Sequence, residues 1–365
     1  MDRGNVGRRG WCALDPRSGD IPWSLDLPAK WTPILLGFDA DSIYFSMYEP
    51  VSTENGALML MAVEARTGAT RWSRDLRPKA NALLGRGWLS WWVLVRLAPG
   101  FLRVGVSEEM PPSTKVYDYR HVVFALDPST GAELWSSPGA GEVTQLLVDD
   151  AGRSFVGATE EWDRGNVRAL DVDGVELWSE SAPRIRMYSA SPGPLDGPLM
   201  LAPSLVFYVG GEARDPLTGA YRYEKSFVSG GDRLLISGGS GFLFRSQCPK
   251  GGGCSNMWRE LSAFDLASGQ ERWNRSLATA SVRIGEDWVG DGSGALRFFA
   301  REGAKLPETF MCKVAGDGRV LEQRRLSDLP IGGKGGFRFV GPWIVRSVLE
   351  QDSSWTLQTW PGARQ

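Results

Sequence analysis

A short phrase recurs along the chain, and it constrains the fold more than any other feature of the sequence. The phrase is clearest as FALDPSTGAELW at 124–135, and its seven copies follow one another at intervals of roughly 43 to 63 residues. The other copies are CALDPRSGDIPW at 12–23, MAVEARTGATRW at 61–72, RALDVDGVELW at 168–178, EARDPLTGAYRY at 212–223, SAFDLASGQERW at 262–273 and CKVAGDGRVLE at 312–322. A fixed period of this size is typical of a propeller or a solenoid.

Each copy of the phrase predicts a β-hairpin. In the copy at 124–135, Asp127 can accept backbone N–H groups two residues on, Pro128 presets φ for a turn position, and Gly131 supplies a positive φ. Residues 132–135 then begin the returning strand, with alternate side chains on opposite faces. Two antiparallel strands joined by a tight turn therefore form part of every repeat.

A tryptophan holds a fixed place just after the turn in five copies. A recurring tryptophan buries a large apolar area and needs a partner for its N–H group. We therefore expect each of these side chains to be a structural wedge between one repeat and the next. The tryptophans are Trp23, Trp72, Trp135, Trp178 and Trp273.

The segments between the phrases also resemble strands. They are short, rich in β-branched and aromatic residues, and bounded by Gly, Pro, Asp or Ser, as in SIYFS at 42–46 and LLISGGSGFLF at 234–244. A repeat of about 50 residues then holds four strands, the size of one propeller blade. We predict an all-β fold, namely a seven-bladed β-propeller with four-stranded antiparallel blades, in a single domain over 1–365 and without a convincing amphipathic helix. Eight blades are the alternative.

The two ends of the chain are predicted to share one closing blade. The first phrase begins at residue 12, so the chain opens in the middle of a blade. The strand-like segments 335–350 and 355–360 lack a following full phrase and supply the missing part. We expect residues 1–27 to pair with strands near 337–360, because an open ring would leave unpaired strand edges. The alternative is that an upstream segment with a signal sequence is missing.

The repeated pattern A-L-D-x-x-T-G-x-x-x-W resembles the blade repeat of the pyrroloquinoline quinone (PQQ)-like propellers. That superfamily includes quinoprotein alcohol dehydrogenases and the propeller lipoprotein of the outer-membrane Bam assembly complex. The resemblance covers roughly residues 9–325 and is specific for the repeat type. It implies the propeller fold, and it is compatible with both redox enzymes and scaffolds.

The resemblance also implies what a quinoprotein enzyme would need. Those enzymes use a pair of adjacent cysteines, a calcium ion held by acidic and amide residues, and a tryptophan beneath the quinone. This chain has no Cys-Cys pair. We therefore predict that it binds no cofactor and is not an enzyme.

Charge and hydropathy argue against nucleic acid as a partner and against a membrane span. The chain has 41 basic and 43 acidic residues, a formal net charge of −2, and no basic block, so nucleic acid is not expected as a partner. The most apolar run, at 87–104, is interrupted by Arg96 and Arg103, so we predict no membrane span. The N-terminal segment lacks the hydrophobic core of a signal peptide. We expect the protein to be a monomer.

The cysteines offer one candidate disulfide. Cys248 and Cys254 bracket a Gly-rich loop, CPKGGGC, in which five intervening residues can bring the sulfurs together. A disulfide would imply an oxidising compartment. A metal site would need further ligands, and two free thiols are the remaining alternative. Cys12 and Cys312 are interpreted as small buried hydrophobes.

The sequence offers few groups for catalysis. His121 is the only histidine, and a half-buried strand histidine is commoner than a catalytic base. Asp171 with Asp173, and Asp287 with Asp291, lack the full oxygen set of a calcium loop, so turn capping is favoured. We therefore predict no catalytic and no metal-binding residues.

The predicted function is that of a non-catalytic protein-binding scaffold, in the periplasm or cell envelope or, if the chain start is genuine, in the cytoplasm. A quinoprotein-like dehydrogenase and an extracytoplasmic sensor or adhesion module are the alternatives. Two long excursions, at 107–120 and 246–260, are candidate binding loops for a partner of unknown identity, since functional loops tend to interrupt regular elements. Their candidate contact residues are Glu108, Glu109, Met110, Tyr117 and Tyr119 in the first loop and Met257 and Trp258 in the second.

Overall fold

The computed structural model shows an all-β protein. The structure describes residues 9–13, 21–27, 32–39, 41–48, 57–84, 88–98, 100–109, 119–161, 164–183, 200–202, 205–208, 212–225, 233–246, 258–276, 283–290, 295–302, 308–325, 337–340, 343–349 and 355–361. Within each sheet of these ranges, strands that follow one another in sequence are hydrogen-bonded neighbours, and several of the sheets are four-stranded and antiparallel.

The chain builds its sheets in sequence order. The first, β1 (Arg9–Ala13) and β2 (Trp23–Leu27), is two-stranded, and the last, β27 (Phe337–Val340), β28 (Trp343–Leu349) and β29 (Trp355–Pro361), is three-stranded. Between them lie four-stranded sheets made by β3 (Thr32–Phe38), β4 (Ser42–Tyr48), β5 (Leu58–Glu64) and β6 (Thr70–Asp75); β7 (Trp88–Ala98), β8 (Phe101–Glu109), β9 (Tyr119–Leu126) and β10 (Glu133–Ala140); β11 (Glu142–Val148), β12 (Ser154–Glu161), β13 (Arg164–Leu170) and β14 (Glu176–Pro183); β15 (Met200–Ala202), β16 (Leu205–Tyr208), β17 (Glu212–Arg214) and β18 (Tyr221–Glu224); β19 (Arg233–Ser237), β20 (Ser240–Ser246), β21 (Trp258–Asp265) and β22 (Glu271–Ser276); and β23 (Arg283–Gly290), β24 (Ala295–Glu302), β25 (Glu308–Ala315) and β26 (Val320–Arg325).

This succession of sheets confirms the predicted fold class. Four-stranded antiparallel sheets repeated along a chain are the blades of a β-propeller. The chain divides into two compact units: the first contains the sheets from β1 to β14, the second those from β19 to β29, and the β15–β18 sheet is divided between them. A single domain, seven blades and the closing of one blade by both ends of the chain stay predictions.

One helix was not predicted from the sequence. Within the described ranges, α1 (Arg77–Leu84) follows β6, in a stretch whose sequence offers no convincing amphipathic helix. The carboxylate of Asp75 accepts the backbone N–H of Arg77 at 3.0 Å, which satisfies one of the free donors at the helix start. Ala80 and Leu84 are buried in the core of the first unit. An isolated helix of two turns has only marginal stability in water, so tertiary packing stabilises this helix.

The core of the first unit lies between sheets that are successive in sequence. Leu60 of β5, Val104 of β8 and Phe124 of β9 are almost completely buried in one cluster. The second unit has its own cluster, in which Phe242 and Phe244 of β20 pack with neighbours that include Leu296 of β24. Strands buried in this way need alternating apolar residues, which is the pattern of the sequence between the phrases.

The hairpin turns have the geometry that the phrase predicts. The Asp127 carboxylate accepts the backbone N–H groups of Ser129 and Thr130 at 2.7 and 3.1 Å, and Gly131 has a φ of 68°. The hydrogen bonds that the Asp127 carboxylate accepts lower its pKa below the usual range, and the bond from the Ser129 hydroxyl contributes most. The same turn bonds recur at Asp215 and Asp265.

An aromatic side chain from each of six hairpins binds the turn of the following repeat. Each indole N–H donates to the carbonyl just after the residue that opens that turn, and the ring lies against the turn glycine. In the copy ending in Tyr223, the phenol hydroxyl makes the same bond to Leu266 at 2.6 Å. The indole bonds are Trp23 to Ala65 (3.0 Å), Trp72 to Pro128 (2.9 Å), Trp135 to Val172 (2.6 Å), Trp178 to Pro216 (3.0 Å) and Trp273 to Gly316 (2.8 Å).

Deletion of residues 1–27 tests the predicted closure by both ends of the chain. We expect the truncated protein to aggregate, because it would present an uncovered strand edge. The deletion also removes Trp23, so Trp23→Ala in the full chain is the matched control: it loses the turn contact and keeps the strands. Gel filtration and thermal melting compare the three proteins. A truncated protein that stays monomeric with an unchanged Tm would contradict the closure.

Candidate functional site

A β-bulge precedes the aromatic position in five of the hairpins. The strand pairing shifts by one residue there, so one residue of the returning strand has no direct partner. A bulge bends the strand and re-aims the extra side chain. The bulged residues are Arg71, Leu134, Leu177, Arg272 and Leu321.

Arginine at this position is held by its own sheet. Arg71 donates to the Ser42 hydroxyl at 2.6 Å, and Arg272 donates to the equivalent Ser240 hydroxyl at 2.9 Å. Leucine can make no such bond, and Leu134 and Leu177 are 60% and 38% exposed. The fold therefore accepts arginine here and does not require leucine.

Other large apolar side chains on the same and the next hairpin are exposed as well. Six of the eleven exposed large hydrophobic residues in the described part of the chain lie on three hairpins that are successive in sequence. We call this set the hairpin surface: Leu134, Val172, Val175, Leu177, Leu217 and Tyr221. An exposed apolar cluster on a folded protein is typical of an interaction site.

The tryptophan contacts bring the three hairpins together. Trp135 follows Leu134 and binds the carbonyl of Val172, while its ring lies so close to Gly174 that a Cβ there would be 2.6 Å from Cδ2. Trp178 follows Leu177 and binds the carbonyl of Pro216, which precedes Leu217. Neighbouring hairpins of the surface are thus fixed to one another through rigid side chains.

Two of the three hairpins of the surface are also acidic. Residues 127–134 and 171–177 contain five carboxylates and no lysine or arginine. The equivalent segments of the five other copies, 15–22, 64–71, 215–222, 265–272 and 315–321, together contain seven carboxylates and six arginines. The negative excess is therefore larger in the two hairpins that carry the bulged leucines Leu134 and Leu177 than in any of these five copies, of which 15–22 and 265–272 each have one carboxylate more than arginines.

Cations at the margin of the surface are already paired. Lys79 of α1 lies 3.5 Å from the Glu133 carboxylate, and Arg168 of β13 lies 3.7 Å from that of Glu176. The carboxylates of Asp127 and Asp171 cap their turns by accepting backbone N–H groups. Exposed apolar side chains and negative charge thus share one surface.

The first candidate loop is shorter than the sequence predicts. β8 extends to Glu109, and the side chain of Glu108 is completely buried, 3.5 Å from the guanidinium Nε of Arg77. The prediction that Glu108 belongs to an exposed recognition rim was therefore wrong. Tyr119 begins β9 and is half-buried, Glu109 ends β8, and Met110 and Tyr117 lie outside the described residues.

The second candidate loop falls largely outside the described residues. This holds for Met257 and for both cysteines of the candidate disulfide, Cys248 and Cys254, and that bond stays a prediction. Trp258 is the first residue of β21. Cys312 lies on β25 against the core of the second unit, and burial raises the pKa of its thiol to about 11.

His121 joins two sheets of the first unit. It is completely buried, deeper than predicted, with Nδ1 2.9 Å from the Gly141 carbonyl and Nε2 3.0 Å from Nη2 of Arg168. Because a carbonyl only accepts and a guanidinium only donates, the proton lies on Nδ1 and Nε2 accepts. Burial and then the charge of Arg168 lower the pKa of His121 to about 4.

The metal prediction concerned paired aspartates. The Asp171 carboxylate accepts the backbone N–H groups of Asp173 and Val175, at 2.9 and 2.8 Å, as expected of a turn cap. Asp287 lies in β23, and Asp291 is outside the described residues. Over the part of the chain that the structure describes, no three His, Cys, Asp or Glu side chains are grouped to hold a metal ion.

The hairpin surface was missed by the sequence analysis, although a signal was present. Alignment of the seven phrases places Leu134 and Leu177 at the position where three other copies have arginine, namely Arg71, Arg222 and Arg272. The fold prediction depends on the residues that the copies of the phrase share. The candidate site, in contrast, depends on residues that differ between the copies.

The fold and its repeats define a β-propeller, and comparisons specify its type. Residues 59–233, just under half of the chain, match the family model described as outer membrane protein assembly factor BamB. The resemblance to PQQ-like repeats predicted from the phrase is thereby confirmed. No curated protein sequence matches the chain significantly. Within the described residues, no helix is long and apolar enough to cross a membrane.

Solved structures share the fold at low identity. The WD40 domain of SCAP from fission yeast has a TM-score of 0.52 at 8% identity, covering 97% of this chain and 88% of that chain. The β-propeller domain of the Trilobed protease from Pyrococcus furiosus has a TM-score of 0.46 at 9% identity, covering 90% and 82%. A europium-containing methanol dehydrogenase has a TM-score of 0.36 at 13% identity, covering 92% and 69%.

The prediction that this chain is not an enzyme requires correction. Propellers similar to it include an enzyme, the methanol dehydrogenase, and a domain of a protease. The fold therefore excludes no enzymatic class, and these distant similarities assign no activity to this chain. Catalysis is a question for assay.

Proposed function

We propose that the chain is a protein-binding β-propeller of the bacterial cell envelope and that the hairpin surface contacts its partner. The observation that carries the proposal is the exposure of Leu134 and Leu177 at bulges where the same fold elsewhere has a tethered arginine. Apolar side chains that the fold does not need, clustered on rigid hairpins, suit a protein interface.

The match over 59–233 supports the location and the type of partner. The matched family is described as an outer-membrane assembly factor, which points to the envelope and to other proteins as partners. The hairpins at 127–134, 171–177 and 215–222 all lie within the matched segment. The two excursions predicted from the sequence, at 107–120 and 246–260, stay candidate contacts.

Exchange of the bulged leucines is the direct test. We expect Leu134→Arg with Leu177→Arg to abolish capture of the partner from the envelope fraction of the source cells, because it replaces apolar contacts with charge. We expect the free energy of unfolding to change by no more than about 0.5 kcal/mol, since arginine occupies the same bulge at Arg71 and Arg272. Pulldown with cross-linking and urea unfolding measure the two effects.

Leu321→Arg is the matched control, because Leu321 is bulged and exposed in the same way but lies in the second unit. It should leave capture unchanged. Retention of capture by a folded Leu134→Arg, Leu177→Arg variant would show that the hairpin surface is not the binding site.

A further inference from the structure

The chemistry of the hairpin surface indicates what its partner presents. We infer that the surface receives a peptide segment of the partner in which apolar residues alternate with lysine or arginine, an inference that rests on the proposed function. Leu134, Val175 and Leu177 supply the apolar contacts, and the surrounding carboxylates supply the charge selection.

The apolar component comes from the arrangement of the hairpins. Val175 is 61% exposed and lies two residues before Leu177 on the hairpin that Trp135 ties to the one carrying Leu134. These side chains project from fixed turns and bulges, so they lose little conformational freedom on binding. Apolar side chains of a partner would cover them and remove both surfaces from water.

The charge component comes from the contrast between repeats. Segments 127–134 and 171–177 carry five carboxylates and no cation of their own, and two of the five, Glu133 and Glu176, are paired with Lys79 and Arg168. The equivalent segments of the other five copies together carry seven carboxylates and six arginines. Asp173 is exposed, and the side chain of Glu176 is 45% exposed. An acidic partner would meet like charges here, while a basic one would be attracted and oriented.

Short synthetic peptides test the inference on the intact protein. The first alternates lysine with valine or leucine, the second replaces lysine by glutamate, and the third keeps lysine but replaces the apolar residues by serine. We expect fluorescence anisotropy to show binding of the lysine–apolar peptide at least about tenfold tighter than of either other peptide. Its affinity should fall as salt is added, because exposed charges are screened.

Variants connect the binding to named residues. Leu134→Arg with Leu177→Arg should weaken binding of the lysine–apolar peptide by about tenfold or more. Asp173→Asn with Glu176→Gln should weaken it several-fold and flatten its salt dependence. Glu224→Gln with Glu271→Gln, at exposed positions in the second unit, is the charge-matched control and should change nothing.

The outcomes separate this inference from the proposed function. If the glutamate peptide binds as tightly as the lysine–apolar peptide, the surface does not select for positive charge. If the lysine–serine peptide binds as tightly, the apolar residues do not contribute. If no peptide binds, the inference is overturned. If envelope capture is lost in the leucine variant while the peptides show no preference, the proposed function stands and only the inference fails.

Discussion

Replacement of Trp72 by alanine is expected to lower the free energy of unfolding by about 3 to 5 kcal/mol. Trp72 is 8% exposed, donates to the Pro128 carbonyl at 2.9 Å, and covers Gly131 of the following repeat. Its removal leaves a cavity between two sheets, and the Pro128 carbonyl keeps only the longer hydrogen bond from the Tyr44 hydroxyl, at 3.4 Å. Urea unfolding monitored by circular dichroism measures the loss.

The chain itself supplies the control for this experiment. Tyr223 occupies the aromatic position of its own repeat and reaches the Leu266 carbonyl through its hydroxyl at 2.6 Å. Trp72→Tyr should therefore keep both the ring contact and the hydrogen bond, and cost roughly half of the alanine variant or less. An equal loss in the two variants would show that the aromatic contact between repeats is not what stabilises this position.

The hairpins could be predicted because their information is local. Asp127, Pro128 and Gly131 each favour one turn conformation through their own chemistry, and the structure has that turn. Repetition then extended a local prediction to the whole chain. The fold class followed, since a hairpin repeated at blade spacing has few architectures open to it.

What the sequence did not reveal depends on contacts distant along the chain. Helix α1 exists because Ala80 and Leu84 find a buried site, and Glu108 is buried because Arg77 of that helix lies beside it. The polar string SEEM at 107–110 favours a loop by composition alone. Tertiary packing overrides such local preferences.

The candidate site shows a different limit of the sequence. Exposure of Leu134 and Leu177 follows from a register shift of one residue, and no residue type in the phrase specifies a bulge. Alternation alone would assign every second residue of the returning strand to one face. Only the pairing register shows that the residue before the tryptophan departs from this rule.

The buried histidine makes stability depend on pH. The pKa of His121 falls from 6.5 to about 4, mainly because burial disfavours the charged ring and also because Arg168 repels it. Between these values the unfolded chain binds a proton that the folded protein does not, so stability decreases as the pH falls from 6.5 towards 4. The shift corresponds to about 3 kcal/mol, fully lost only below the lower value.

His121→Gln isolates this effect. A glutamine amide can donate to the Gly141 carbonyl and accept from Arg168 without titrating, so it retains the two contacts. Urea unfolding between pH 7.5 and pH 4.5 should show a steeper loss of stability in the native protein than in the variant. Carboxylates such as Asp127 and Glu176 are present in both proteins, so the difference between the two pH profiles reports His121 alone. Parallel pH profiles would mean that folding does not lower the pKa of His121, which would contradict its assigned burial beside Arg168.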